Sequence, residues 1–331
     1  MFVSIHKPNV PCLLQVQTAE SARAASMKEY LHHLSDIVHG RHSHGTAGEH
    51  EQGGVATCTA GGQHTAHLEL PMHALPDLTA KVQRGVAPWH LQKVAFGACN
   101  SSARDVAGER CLVVQYPRGS IAPSCAKKGS PLGGLGFLAA PPAIFPASEV
   151  ELSYRLQLAP TFEGQRGGKL PGLWLGEPEE PCGGGASGGR HCSQTASVRL
   201  MWRQGLAAEA YVYATAAECS ASYCSQPGYH HNAKYGDSVW RGKLTLVRGG
   251  WNDVRIRVRL NTPGACDGLL AVAVNGVECA CREMCWRGAE CGGMMIRALN
   301  FCTFYGGSTE TFACPCDTEA LFKDFALQRF A

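Results

Sequence analysis

The sequence predicts an all-β protein: an antiparallel β-sandwich of the jelly-roll type, preceded by an N-terminal extension of different composition. From Trp89 onward, short segments that alternate between apolar and polar residues are separated by glycine and proline, and helical patterns are few. Residues 150–158 and 254–260 show this alternation most clearly. Residues 269–274 run into Asn275-Gly276, a dipeptide typical of a two-residue hairpin turn. Many short strands separated by turn signals are typical of sandwiches and jelly rolls.

The predicted strands follow one another over most of the chain beyond residue 110. Each is short, and most carry one apolar face, as expected for a sheet that has one side in a core. The first of them ends before Pro117, because proline cannot donate a ladder hydrogen bond. The strands are predicted at 111–116, 150–158, 197–203, 209–215, 254–260, 269–274, 294–304 and 321–327.

The first 84 residues contain ten of the 14 histidines and differ in composition from the rest of the chain. Apolar residues recur at helical spacing over 20–38, and Gly40 suits a C-terminal cap, so we predict one helix there. The following residues are polar and glycine-rich, and we interpret them as a solvated linker rather than a metal site. We therefore predict a low-complexity extension, residues 1–84, that is partly helical or disordered, and a jelly-roll domain, residues 85–331.

Composition limits the classes of partner. The formal net charge of +3 is too small to indicate nucleic-acid binding and is compatible with an anionic substrate. No run of about 18 apolar residues occurs, so we expect no membrane span. The 17 cysteines lack zinc-finger spacing and indicate disulfides formed in an oxidising compartment. We expect an extracellular or secretory-pathway protein, although the first residues form no clear signal peptide.

Two of the predicted strands, 197–203 and 209–215, are expected to form a hairpin. Facing residues of an antiparallel pair point to the same side of the sheet, and a register slip of two residues would keep them there. With Arg203 set opposite Glu209, the other pairs on this side are Met201–Tyr211 and Arg199–Tyr213.

One side of this hairpin is polar and aromatic, and we expect it on an exposed sheet face. The opposite side is apolar and suits a core. Nearby, Lys169 lies in a Gly-Gly-Lys-Leu-Pro-Gly segment, whose glycines let the backbone pass close to a ligand or another strand. Spacing alone leaves open whether this face is a site or ordinary solvated surface. The polar side carries Ser197, Arg199, Tyr211 and Tyr213.

Several ordered segments between Trp89 and Leu327 resemble polysaccharide lyase family 14, which contains alginate and glucuronan lyases with a β-jelly-roll fold. The strongest are Gly-Gly-Lys-Leu-Pro-Gly-Leu, Ser-Val-Arg-Leu-Met-Trp-Arg and Tyr-Val-Tyr. Several such motifs in one chain are more specific than any one of them. The three strongest segments span 167–173, 197–203 and 211–213, and the flanking ones span 116–120 with 123–124, 267–276, and 303–307 with 322–325.

The resemblance implies a polysaccharide lyase that cleaves a uronic-acid polymer, alginate or glucuronan, by β-elimination. Carried over by motif, the catalytic residues fall on Lys169, Ser197, Arg199, Tyr211 and Tyr213. In this scheme the cations neutralise the uronate carboxylate and lower the pKa of a tyrosine that acts as base. Which tyrosine is base, and whether the other tyrosine or Lys169 is the acid, stays open.

Residues 177–194 form a glycine-rich insert between Lys169 and the hairpin, which we expect to reshape one end of the cleft. The insert contains a cysteine pair, Cys182 and Cys192, that suits a local disulfide. It also contains His191, which resembles a subsite histidine of the family. We take His191 and Arg203 as candidate substrate-binding residues.

The expected partner is an acidic polysaccharide, with no nucleic acid, no membrane, no metal and no cofactor, and the expected state is a monomer. The main alternative is a non-catalytic carbohydrate-binding jelly roll, which needs no base beside a carboxylate clamp. A glycoside hydrolase would need two carboxylates flanking the bond, and the predicted cluster contains none. A cysteine-rich structural protein would explain the cysteines but not the order of the motifs.

Overall fold

The computed structural model describes residues 55–60, 63–79, 85–177, 194–214, 220–232 and 235–331, which form two packed antiparallel β-sheets. The predicted antiparallel jelly-roll sandwich is confirmed. In spatial order, the back sheet contains β1 (Val55–Ala60), β2 (Gln63–Leu70), β17 (Thr318–Phe330), β7 (Glu149–Leu158), β13 (Trp251–Arg259), β14 (Gly268–Val274) and β15 (Val277–Met284), with β5 (Glu109–Tyr116) also paired to β17 and β4 (Ser101–Val106) paired to β5. The front sheet contains β11 (His230–Asn232), β12 (Gly236–Thr245), β10 (Ala207–Tyr213), β9 (Thr195–Trp202), β8 (Gly168–Gly176), β16 (Met295–Tyr305), β6 (Leu135–Ala139) and β3 (Leu91–Phe96).

The alternation that predicted strands also sets which residues form the core. In β7 the even-numbered residues from Val150 to Leu158 are buried, while the odd-numbered ones between them are half-buried. In β13 the buried residues are again the even-numbered ones, whose side chains face the other sheet. By contrast, every residue of β9 is buried, so its outer face is covered as well. That second buried face carries the candidate site residues Ser197 and Arg199.

The hairpin predicted at Asn275-Gly276 is confirmed. Val274 at the end of β14 pairs with Val277 at the start of β15, leaving a two-residue turn. Asn275 and Gly276 have φ values of 51° and 82°, the left-handed conformations that such a turn requires. The Asn275 side chain also accepts a hydrogen bond from the Asp253 amide at 3.0 Å, which ties the turn to the neighbouring strand.

The sandwich begins earlier in the chain than the predicted boundary at residue 85. β2 pairs with β17 from Leu70 opposite Phe325 to Ala66 opposite Arg329, and β1 pairs with β2. Leu68 and Leu70 are buried in the core, while the polar residues that alternate with them point outward. This short alternation was hidden by the histidine-rich composition around it. The predicted helix at 20–38 lies outside the described residues.

Helices are short over the described part of the chain. They are α1 (Pro123–Ala126), α2 (Ala221–Cys224) and single turns of 3-10 helix. Within the described ranges, no helix has the length and apolar character needed to cross a membrane.

A disulfide joins Cys266, in the loop after β13, to Cys285, just beyond β15. It closes a loop of 19 residues in sequence, so removing it relaxes the unfolded chain and lowers stability by about 3 kcal/mol. We therefore expect replacement of both cysteines by serine to lower the midpoint of urea unfolding. Cys99→Ser is the matched control, because Cys99 is an exposed thiol. An equal loss in the control would contradict a stabilising role for this disulfide.

Candidate active site

β9 and β10 form the predicted hairpin, but their register differs from the expected one by two residues. Tyr211 lies opposite Arg199, and Tyr213 lies opposite Ser197. The expected pairing of Arg203 with Glu209 is wrong because Arg203 belongs to the turn. Its amide donates to the carbonyl of Ala207 at 2.7 Å, and Leu206 donates back to the carbonyl of Arg203 at 3.0 Å.

The predicted faces are unchanged, because a shift of two residues preserves the side to which each side chain points. The apolar residues of the hairpin join the core between the sheets, and Trp202 is its largest contribution there. On the outer side, Met201, Tyr211 and Tyr213 form a separate small cluster. The structure therefore brings the predicted tyrosines and Arg199 together.

The polar face is buried, contrary to the expectation of an exposed surface. Ser197 and Arg199 are 0% and 1% exposed, and Lys169 is 8% exposed. A face that holds two tyrosines and two cations so far from water is costly unless its groups satisfy one another. We infer that this part of the front sheet is a dry, preformed site rather than ordinary surface.

Lys169 reaches the hairpin through an irregularity between β8 and β9. It lies opposite Met201, and the register then shifts before Gly172, which lies opposite Arg199. A Cβ atom at Gly172 would lie 2.0 Å from the Val198 carbonyl oxygen, so only glycine permits this approach of the two backbones. The glycine-rich segment is thus a close strand contact that fixes the position of Lys169.

The Lys169 ammonium group lies directly on the tyrosine cluster. Its Nζ atom is 3.2 Å from the centroid of the Tyr211 ring and 5.6 Å from that of Tyr213. Nζ also donates to the Sδ atom of Met201 at 2.9 Å. The two tyrosine rings meet edge to face, with centroids 5.4 Å apart. Lys169 therefore belongs to the same cluster, a placement that spacing could not predict.

Two arginines approach the same tyrosines from other sides. The Cζ atom of Arg199 is 5.3 Å from the Tyr213 ring centroid, and that of Arg203 is 5.8 Å from the Tyr211 ring centroid. Arg199 also directs Nη1 at the Sγ atom of Cys302 at 3.8 Å. Three cationic side chains around two phenols create a site with positive potential, suited to an anionic group.

Burial and the arginines together change the acidity of the cluster. Burial, followed by the charges of Arg199 and Arg203, holds the pKa of Lys169 well below its ordinary value. Burial raises the pKa of Tyr211, and Tyr213 raises it further through its charge and a hydrogen bond. The expectation that the cations lower the pKa of a tyrosine is therefore wrong for Tyr211, because desolvation outweighs the nearby charges.

Glu209 is buried at the turn end of this face and is held by three side chains. Arg203 Nε donates to Oε1 at 2.7 Å, Arg241 Nε donates to Oε2 at 2.6 Å, and Ser238 Oγ donates to Oε1 at 2.9 Å. The Glu209 carboxylate is therefore paired through both of its oxygens and shielded from solvent. Sequence reasoning missed Arg241 and Ser238, which belong to β12 and come next to Glu209 only through tertiary pairing.

The candidate His191 and the cysteine pair of the insert lie outside the described residues. Arg203, the other candidate substrate-binding residue, lies beside the tyrosine cluster, with its Cζ atom 5.8 Å from the Tyr211 ring centroid. In chemical terms, the described site can hold a carboxylate against its cations and can exchange protons through two phenols and an amine. This combination defines an acid–base enzyme that acts on an anionic substrate, built on a β-sandwich.

Comparison with known proteins identifies the family to which the chain belongs. The family model Polysaccharide lyase 14 matches residues 104–325, and the chain therefore belongs to polysaccharide lyase family 14. The predicted resemblance and enzyme class, a polysaccharide lyase, are confirmed. Among curated protein sequences, no match to the chain was found.

Solved structures support the same fold. A marine PL-14 alginate lyase from Aplysia kurodai is 28% identical, with a TM-score of 0.65, over 72% of this chain and 91% of that one. The alginate lyase vAL-1 from Chlorella virus is 23% identical, with a TM-score of 0.60, over 73% of this chain and 93% of that one. At this lower identity the viral enzyme is evidence for the fold alone.

Proposed function

We propose that this protein cleaves a uronic-acid polymer, alginate or glucuronan, by β-elimination on the outer face of the front sheet. The observation that carries the proposal is the buried cluster in which Lys169 and Arg199 lie against Tyr211 and Tyr213. A site that only bound sugars would not need two phenols and an amine that are buried together against two arginines. The disulfide between Cys266 and Cys285 supports folding in an oxidising compartment.

The first task of the site is to make the C5 proton of the uronate acidic. That carbon is adjacent to the carboxylate, whose negative charge opposes removal of the proton. Arg199 offers a planar fork of donors that matches a carboxylate, and Lys169 adds a second cation. Ser197, two residues before Arg199 on the same face, can donate a third hydrogen bond. Charge that develops on the carboxylate during proton removal is then met by preformed donors.

The second task is proton transfer, and the structure favours one assignment of the tyrosines. Tyr213 lies beside Arg199, whose Cζ atom is 5.3 Å from the centroid of its ring, so negative charge that develops on the Tyr213 oxygen lies near a cation. Tyr213 takes the C5 proton as base, the C5–H electrons form the C4–C5 double bond, and the C4–O bond breaks. Tyr211, whose pKa burial raises, keeps its proton until it donates it to the departing oxygen. The products are a new hydroxyl end and an unsaturated uronate end.

Substrate binding is expected to change the protonation of the Lys169 amine. Burial and the neighbouring arginines hold its pKa well below the usual range. A carboxylate that binds beside it adds a negative charge and favours the ammonium form. Substrate binding therefore strengthens the positive charge of the site at the step that needs it.

Hydrolysis fits this site less well. Glu209 is the carboxylate on this face of β9 and β10, and both of its oxygens are bound by arginines. It is therefore not placed to protonate a glycosidic oxygen or to activate water, and a hydrolase would need a second carboxylate as well.

The substrate class is tested by incubation with alginate, polymannuronate, polyguluronate and glucuronan while the ultraviolet absorbance of unsaturated uronate is followed. Because the Aplysia relative is an alginate lyase, alginate is the first substrate to try. We expect product from at least one of these polymers and none from a neutral glucan of similar length. Tight binding without product on every uronan would instead favour the non-catalytic carbohydrate-binding module.

A further inference from the structure

A second group of charged residues lies next to the catalytic cluster, and the proposed reaction does not use it. Glu209 is completely buried between the guanidinium groups of Arg203 and Arg241. Ser238 accepts from Arg241 Nη2 at 2.9 Å and from Arg203 Nη2 at 3.2 Å, and itself donates to Glu209. We call Arg203, Glu209, Ser238 and Arg241 the two-arginine cluster. One carboxylate holds two cations side by side, so the cluster keeps a net positive charge.

Arg241 reaches this position only because β12 departs from regular geometry. The register between β10 and β12 shifts between Ala208 and Ala210, so β12 contains extra residues opposite Glu209. Within this bulge Trp240 has φ of 64° and Gly242 has φ of 80°. A tryptophan rarely adopts a left-handed conformation. Bulges of this kind often redirect a side chain next to a functional site, and backbone strain concentrates at such sites.

The bulge is held in place from behind. The Trp240 side chain is buried, its amide donates to the Pro227 carbonyl at 2.8 Å, and its Nε1 donates to Gln226 at 2.8 Å. Gly228 packs so closely that a Cβ atom there would lie 2.6 Å from the Arg241 amide nitrogen. These contacts fix the backbone of Arg241 while leaving its side chain 42% exposed. A merely structural partner for Glu209 would not need a strained strand or an exposed guanidinium edge.

The cluster lies in line with the catalytic residues across the sheet. Ser238 pairs with Tyr211, and Tyr211 pairs with Arg199, so the three residues form one row across β12, β10 and β9. Neighbouring strands lie about 4.8 Å apart, which places β12 about 10 Å from the Arg199 strand. Arg203 bridges this gap, because it contacts both Glu209 and the Tyr211 ring. A polymer that crosses the strands at Arg199 therefore passes the two-arginine cluster.

We propose that Arg203 and Arg241 form a second carboxylate subsite, which binds the uronate next to the one that reacts. Glu209 is its positioning residue, because it holds both guanidinium groups in place before the substrate arrives. This inference rests on the proposed function for the identity of its ligand, an acidic sugar within a chain. A buried carboxylate holds the two guanidinium groups at fixed positions. The site should therefore bind a polymer with a carboxylate on consecutive sugars more tightly than one with isolated charges.

The test compares Arg241→Gln with Arg255→Gln, a matched control on the back sheet whose arginine is 53% exposed and paired with Glu278. Each is introduced into the full chain carrying Tyr213→Phe, and binding of a saturated alginate or glucuronan tetrasaccharide is measured by calorimetry. In the Tyr213 background, we expect Arg241→Gln to raise Kd about tenfold or more and Arg255→Gln to leave it unchanged. With Tyr213 intact, we expect Arg241→Gln to raise KM on the polymer with little change in kcat. The Arg255 variant should melt at the same temperature as its parent. The Arg241 variant loses one partner of buried Glu209 and should melt lower, so binding is measured well below both transitions.

The outcomes separate the two proposals. Equal binding by the Arg241 and Arg255 variants, in a protein that cleaves uronans, would overturn the subsite and leave the lyase reaction standing. Arg241-dependent binding in a protein that releases no unsaturated product from any uronan would support the subsite and overturn the proposed reaction. A loss of kcat alone, with KM and Kd unchanged, would also overturn the subsite, because a binding residue must act on affinity.

Discussion

Tyr213→Phe is expected to lower kcat for release of unsaturated uronate by about a thousandfold, within the range typical of a lost acid–base group. The change removes only the hydroxyl oxygen to which the proposed mechanism assigns the C5 proton. The ring stays and still packs against Met201 and Tyr211, so the protein should keep its melting temperature. Substrate affinity should change little, because Arg199 and Lys169 remain to hold the carboxylate.

Tyr235→Phe is the control for this variant, because Tyr235 lies between β11 and β12 of the front sheet and is 43% exposed. It should be as active as the parent. The measurement is the steady-state rate of absorbance increase on the polymer that the parent cleaves fastest. Full activity in the Tyr213 variant would remove this residue from the chemistry. Tyr211 would then be the next candidate for the base, to be tested by Tyr211→Phe.

Lys169→Met is expected to abolish turnover and to increase stability at neutral pH. Methionine fills a similar volume without a charge to bury. Because burial lowers the folded-state pKa of Lys169 from its ordinary value of 10.5, the unfolded chain binds more protons between the two pKa values. The free energy of unfolding of the parent therefore rises with pH across this window, and the penalty is complete below the folded-state pKa. The variant should lose that rise and should have a higher free energy of unfolding than the parent near neutral pH.

Lys323→Met is the matched control, because Lys323 is also buried but lies on the back sheet, paired with Glu109. We expect this variant to keep lyase activity and to lose some stability, the opposite of the Lys169 variant. Urea unfolding at several pH values, together with activity on the preferred uronan, measures both effects. A Lys169 variant that is active, or one that is destabilised as strongly as the Lys323 variant, would contradict the assigned role of the buried amine.

Much of the site could be predicted from local patterns, because side-chain direction in a strand depends only on whether a residue number is odd or even. That rule placed Arg199, Tyr211 and Tyr213 on one face even though the register was wrong by two. The error came from the turn, where Arg203 bonds to Ala207 instead of extending the strand. Turn geometry of this kind depends on residues in the left-handed backbone conformation, such as Leu206 (φ 62°). A leucine at this position gives no sequence signal for that conformation.

Other features depend on contacts between distant segments and could not be read from spacing. The outer face of β9 alternates like a half-exposed strand, yet it is buried. Arg241 approaches Glu209 through a bulge in a strand 32 residues away. The direction of the pKa change in Tyr211 follows from that burial as well, since desolvation is a property of the folded site and not of the motif. β2 could not be recognised from its sequence, because only Leu68 and Leu70 alternate there and the segment around them is rich in histidine.

The most direct test of the account is cleavage of the preferred uronan in water labelled with heavy oxygen, followed by mass spectrometry of the products. Elimination breaks the C4–O bond without water, so the account predicts unsaturated ends and no label in the new ends beyond that exchanged in a no-enzyme control. Saturated products that gain one heavy oxygen per bond cleaved would show hydrolysis and would contradict the assignment of Tyr211, Tyr213, Lys169 and Arg199 to a lyase reaction.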